Sequence, residues 1–222
     1  KLTINGDTIK GDVYGGGEFG AVTGNHTTKN DKNEDIKTGT EININGGIIG
    51  REIKNGAPVV YTFGSVFGGG YGTEAQADTV TNNAYVKVFG ALVNDSTTIR
   101  MTAGKVWASV YGGGKLAAVK GSTHITISGG EIGKDSVRAD GYVLFGGATM
   151  GNVFGGGKGD FTNTLLGVVM GNTNITINPG TVEGEPKIYH NIYGGGALSS
   201  VGTYNFSDGK TDDMKNIPKG IP

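Results

Sequence analysis

Apolar and polar residues alternate over five short stretches of this chain, and each stretch runs into a turn of small residues. The stretches are LTINGDTI (2–9), EININGGII (41–49), TIRMTAGKV (98–106), HITISGGEI (124–132) and NITINPGTV (174–182). In four of them the pairs Ile42/Ile44, Ile99/Met101, Ile125/Ile127 and Ile175/Ile177 lie two residues apart, the period of a strand that buries one face. The turns NGD, NGG, TAG, SGG and NPG follow, built from residues that accept a left-handed backbone or preset a bend. No stretch keeps apolar residues at i, i+3, i+4 and i+7 over a dozen positions, so no helix is expected.

A second element recurs with the first. It reads VYGGG at Val13–Gly17, VFGGG at Val66–Gly70, VYGGG at Val110–Gly114, VFGGG at Val153–Gly157 and IYGGG at Ile192–Gly196. A third is a small-residue strand ending in Val and Gly: FGAVTG (19–24), LAAVKG (116–121), LGVVMG (166–171) and LSSVG (198–202). The first element then returns, through links such as GST (121–123) and GNT (171–173). The shortest full cycle runs from Met101 to Ile127. Three strands and three corners in so few residues predict an all-β fold, a single-stranded right-handed parallel β-helix (β-solenoid) with corner loop insertions. About five to seven coils are expected over residues 1–206, with 207–222 an extended tail or linker. YVKVFGALV (85–93) reads as one more first element without its own GGG partner, and TYNFSDG (203–209) as the start of another. The longest polar insertion, HTTKNDKNEDIKT (26–38), has Ile36 as its one apolar anchor and is expected to be a mobile corner loop.

Glycine makes up 44 of 222 residues, well above the usual share of about 7%. The glycines fall at fixed offsets from Ile and Val, which a disordered chain does not require. Net charge is −1 with basic and acidic residues intermixed, so nucleic acid is not an expected partner. No apolar run approaches the ~20 residues of a membrane span. Cysteine is absent, which leaves the compartment open. The chain starts at Lys1 without a signal peptide, as a mature, trimmed or excised segment would.

The candidate chemistry is sparse. Valine or isoleucine of the GGG string should point inward, and Tyr14, Phe67, Tyr111, Phe154 and Tyr193 should form one aromatic column. Such a column is either a stabilising ladder or a platform for sugar rings. GGGEFG (15–20) fits the G-x-G-x-x-G string, but AVTGNHTT follows it rather than a helix, so no nucleotide site is read there. GGYGTE (69–74) and GGKGD (156–160) resemble single calcium-binding turns without the nine-residue period of a calcium roll. Calcium at a corner loop stays open, with Asp31, Glu34 and Asp35 the densest acidic patch; no other cofactor is expected. Aligned columns such as Glu18, Tyr71, Lys115, Lys158 and Ala197 gather no like-charged set. Asp7, Gly47, Lys105, Glu131 and Thr181 are read as another mixed column. His26, His124 and His190 occupy unlike positions, which argues against a shared metal site. No catalytic residue is assigned.

The combination of VYGGG, the Val-x-Gly strand and G-N-T-x-I-T-I-x-G-G resembles the glycine-rich repeats of large surface proteins from gut and oral Bacteroidota. The resemblance covers residues 2 to 209. It implies an extracellular, surface-attached β-helix, often one segment of a longer polypeptide, with adhesin-like or structural roles. The expected function is a non-catalytic stalk or adhesin segment. Its expected partners are other copies stacked end to end or flanking repeats, with glycans or host surface proteins at the loops. The alternative is a carbohydrate-binding or polysaccharide-degrading β-helix enzyme.

Overall fold

The computed structural model describes residues 1–30, 32–51, 64–72, 91–134, 136–137, 143–144, 150–161, 166–179 and 184–202. Numbered along the chain, its strands begin with Leu2–Ile4 (β1), Thr8–Ile9 (β2), Val13–Tyr14 (β3), His26–Lys29 (β4), Asp35–Thr38 (β5) and Thr40–Ile49 (β6). Val66–Phe67 (β7), Thr97–Val106 (β8), Val110–Tyr111 (β9), Thr123–Ile127 (β10), Glu131–Ile132 (β11) and Ser136–Val137 (β12) follow. The last are Val143–Leu144 (β13), Val153–Phe154 (β14), Thr173–Ile177 (β15), Lys187–Ile188 (β16) and Ile192–Tyr193 (β17). The described residues are all-β, and the two large sheets are parallel throughout.

The alternating stretches form one sheet, in the order β1-β6-β8-β10-β15. Its register puts like on like: Ile4 pairs Ile44, Ile44 pairs Met101, Met101 pairs Ile127 and Ile127 pairs Ile177. The GGG strings form the second sheet, β17-β14-β9-β7-β3, with Val13, Val66, Val110, Val153 and Ile192 in one row. Isolated parallel bridges join the third elements through Val22, Val93, Val119, Val169 and Val201. Five repeats therefore lie in register.

Between the two sheets sits the main core. Ile42, Ile44, Ile99, Met101, Ile125 and Ile127 pack there against Val66, Val110 and Val153, all at most 1% exposed. Each such side chain contributes about 1.5–3 kcal/mol by leaving water. Alternation then turns the residue after each inward valine away from this core. Phe67, Tyr111 and Phe154 form a separate buried cluster, and Val93, Val119 and Val169 a third.

Glycine is required where repeats touch. A Cβ at Gly113 would lie 2.7 Å from Gly157 N and 2.9 Å from Val169 Cγ2 in the next repeat. Gly113 itself is absent from the positive-φ positions, so close approach excludes a side chain there, not backbone handedness. The tight turns use handedness as well: Gly47, Gly104 and Gly130 have φ of 84°, 90° and 85°, with Asp7 at 62° in the first repeat.

Three expectations change. Residues 91–93 belong to the third element, since Val93 bridges Val22 and Val119; this part of the 85–93 stretch completes the second repeat instead of starting another. Asp7 and Gly47 do not share a column with Lys105 and Glu131. Thr8 pairs Ile48, Ile48 pairs Lys105, and Lys105 pairs Glu131, while Gly47 falls one residue earlier, in the turn with Gly104 and Gly130; Thr181 lies outside the described residues. The 26–38 insertion is an antiparallel hairpin of β4 and β5, with His26 opposite Thr38 and Lys29 opposite Asp35. Polar contacts hold it rather than apolar burial, as described below. The 203–209 stretch, the 207–222 tail and residues 85–90 lie outside the described residues.

Candidate functional site

The aromatic column is the most regular feature on the molecule. Tyr14, Phe67, Tyr111, Phe154 and Tyr193 stack with centroid spacings of 5.0, 4.7, 4.9 and 4.8 Å and interplanar angles of 4–9°. The spacing is that of neighbouring strands, and the planes are set by the identical backbone beneath each ring. Tyr71 adds a further ring against Tyr14 at 5.6 Å, and Phe19 leans on Tyr71 at 5.7 Å. A sugar ring needs an uncovered aromatic face. Phe67, Tyr111 and Phe154 have both faces covered by neighbouring rings and are at most 5% exposed. Tyr193, 43% exposed at the end of the column, offers one. Burial pushes the Tyr111 hydroxyl up to about 12, with Ser109 pulling the other way and the Asp12 charge adding to the rise. Tyr14 is raised further, first by burial and then by Asp12, whose carboxylate accepts its hydroxyl at 3.1 Å.

Two other columns were not legible as such in the sequence. Thr40, Thr97, Thr123 and Thr173 donate their hydroxyls to the carbonyls of Gly68, Gly112, Gly155 and Gly194 at 2.6–2.7 Å. Each bond closes its repeat by satisfying the first glycine of the GGG string. The signal was a threonine two residues before the first apolar residue of each Ile42, Ile99, Ile125 and Ile175 pair. The residue before the GGG string works between repeats in three cases. Asp12 accepts the amides of Gly64 and Ser65, Ser109 Oγ that of Asn152, and Asn152 Oδ1 that of Asn191.

Among the described residues, charged groups gather around Glu41, around Glu131 and around Asp12. Glu41, 4% exposed in β6, takes Arg100 Nη1 at 2.9 Å, His26 Nε2 at 2.8 Å and Lys1 Nζ at 3.3 Å. Burial alone would raise its pKa, but hydrogen bonds from Asn43, His26 and Lys1 outweigh it and bring the carboxyl down to about 2. Arg100 also donates to Thr28 Oγ1 and to the Lys29 carbonyl. Through His26 and Arg100 the β4–β5 hairpin is clamped to the large sheet. Of the acidic patch, Asp31 lies outside the described residues. Glu34 accepts the Asn30 side-chain amide at 2.8 Å, and Asp35 pairs Lys29 at 2.8 Å. Both carboxylates thus serve the hairpin turn. Among the described residues no three His, Asp or Glu side chains form a metal-holding group.

The second place is a groove of about 340 Å³ along the tight turns, lined by Gly104, Gly130, Glu131, Glu185 and Lys187. Glu131 bridges Lys105 at 2.9 Å and Lys187 at 3.4 Å. Its pKa is lowered, chiefly by the Lys105 hydrogen bond. Lys105 and Lys134 lie 4.5 and 5.4 Å from the Trp107 ring centre. In the column after GGG, Lys158 is lowered by burial and by Lys115. Lys115 itself reaches Asp12 at 3.8 Å and the Tyr71 ring at 4.8 Å. The carboxylates of Glu41, Glu131 and Asp12 are therefore held by cations and amides, an arrangement that fixes structure rather than poising an acid and a base.

Comparison with family models, with curated proteins and with solved structures finds no match.

Proposed function

We propose that this chain is a non-catalytic, extracellular segment of a surface stalk or adhesin-like protein, built as a right-handed parallel β-helix. One observation supports the reading above the rest: the polar columns are used up in closing each repeat and in joining it to the next. Thr40, Thr97, Thr123 and Thr173 close the repeats, and Asp12, Ser109 and Asn152 bond the next repeat's amides. In a structural rod this is what recurring polar residues are for, whereas a hydrolase keeps a carboxylate pair aimed at a substrate. Contacts with partners would then come from the protrusions, of which the clamped β4–β5 hairpin is the clearest.

The second reading, a carbohydrate-binding or polysaccharide-degrading β-helix, draws on the groove beside Glu131, Glu185 and Lys187. A glycan array, with reducing-end and unsaturated-product assays on pectin, alginate and host glycans, separates the two. The stalk reading expects no turnover. Turnover that disappears in Glu131→Gln with the fold intact would overturn it.

A further inference from the structure

The two edges of the repeat stack differ at part of the core. At the first-repeat edge the inward positions Ile4 and Val13 are 6% and 5% exposed, while Leu2 is 38% and Phe19, the counterpart of Leu198, 43% exposed. The counterparts of Ile4 and Val13 at the last-repeat edge, Ile177 and Ile192, are 38% and 49% exposed, with Tyr193 and Leu198 at 43% beside them. Core residues thus stand open to water on the outer side of β15 and β17, the last strands of their sheets.

The glycines carry the stronger clue. A Cβ on Gly15, Gly68, Gly112 or Gly155 would run into the carbonyl oxygen of the first glycine in the following repeat. A Cβ on Gly69, Gly113 or Gly156 would meet the third glycine's nitrogen there at 2.7 Å. Gly194 and Gly195 occupy the same positions in the last repeat, yet a Cβ on either would meet nothing within 4 Å. Neither has a positive φ in the left-handed range. Glycine costs conformational entropy in an extended strand, and nothing in the described body requires it at 194 and 195. A backbone laid over them would.

We infer that this face docks the first repeat of a second copy, parallel and in register, so that β3 of the incoming copy becomes the next neighbour of β17. The occupant is identified by continuity with the contact that already joins repeat to repeat. Val13 would continue the row ending at Ile192, Tyr14 the aromatic column ending at Tyr193, and Val22 the row ending at Val201. Asn191 stands where Asp12, Ser109 and Asn152 accept the next repeat's amide.

The contact is head-to-tail, and it leaves each added copy with an open face for the next.

The inference rests on the repeat-stalk reading, and sedimentation velocity of the full chain over a wide micromolar range tests it separately from catalysis. The wild type is expected to gain mass in steps of 22.7 kDa. Gly194→Val, whose added Cβ meets nothing within the chain, should stay monomeric with an unchanged circular dichroism spectrum and melting midpoint. Leu2→Asp, at the opposite edge, should also stay monomeric. Mixed in equal amounts, the two variants should form a dimer that grows no further, since each retains one working face. A wild type that remains monomeric throughout, a Gly194→Val chain that still associates, or a Leu2→Asp variant that dimerises alone would each overturn the inference. Turnover on a polysaccharide would overturn the stalk reading and leave the docking face standing.

Discussion

Replacing Gly113 by alanine tests the close-packing account of the GGG string most directly. The new methyl would sit 2.7 Å from Gly157 N, 2.8 Å from Gly157 Cα and 2.9 Å from Val169 Cγ2. All three belong to the next repeat, and two are backbone, so no rotamer change relieves the overlap. Opening the repeats far enough to reach ordinary contact strains the neighbouring bond from Gly113 N–H to Gly156 O, now 3.1 Å long. Overpacking of this kind costs about 1–3 kcal/mol, and a weakened buried hydrogen bond adds about 1 kcal/mol. Against these, alanine restricts the unfolded chain and returns about 0.4–1 kcal/mol. The net expectation is a loss of about 2–3 kcal/mol. Gly195→Ala is the internal control, because it occupies the same position with nothing within 4 Å of the added carbon. There only the unfolded-state term survives, and the variant should match or slightly exceed wild type. Urea unfolding at low protein concentration, followed by Trp107 fluorescence and far-UV circular dichroism, reads both. Equal midpoints for the two variants would refute the argument that contact between repeats, rather than the backbone conformation of each strand, selects glycine.

Further outcomes follow from the buried polar groups. The Glu41 carboxyl is lowered to about 2 in the folded chain, so its contribution is complete above the ordinary carboxylate range and is lost as pH falls toward 2. The shift would correspond to about 3 kcal/mol; with Lys1 59% and His26 37% exposed, solvent screening reduces this to about 1–2 kcal/mol. Glu41→Gln should therefore lower stability at neutral pH and flatten the acid limb between about pH 5 and 2, checked by melting midpoints across that range. Thr97→Val keeps the shape of the side chain but leaves the Gly112 carbonyl, bonded at 2.6 Å, without its donor. A loss of about 1–3 kcal/mol is expected in denaturant unfolding, and no loss would show that the threonine column is incidental.

Much of the architecture follows from the chain alone, because its determinants are local and repeated. The two-residue period of Ile42/Ile44 and Ile125/Ile127 defines a one-faced strand, and strings as alike as Val66–Gly70 and Val110–Gly114 must make like structures. Parallel pairing of such copies follows, and the structure shows it residue on residue. The aromatic residues could be placed in one column by the same logic. Whether their faces are open or covered could not, since that depends on strands brought alongside from other repeats; only the folded arrangement leaves Tyr193 exposed and Tyr111 buried. The hairpin at 26–38 was illegible for a related reason. Its order comes from Glu41 and Arg100, which the fold brings to it from two neighbouring strands. The glycines at 113 and 195 are identical in sequence and differ only in what lies over them. The chain determines the repeating unit, because each unit's pattern is set by its own backbone; the tertiary structure decides which unit is covered and which is left open, because coverage belongs to neighbours.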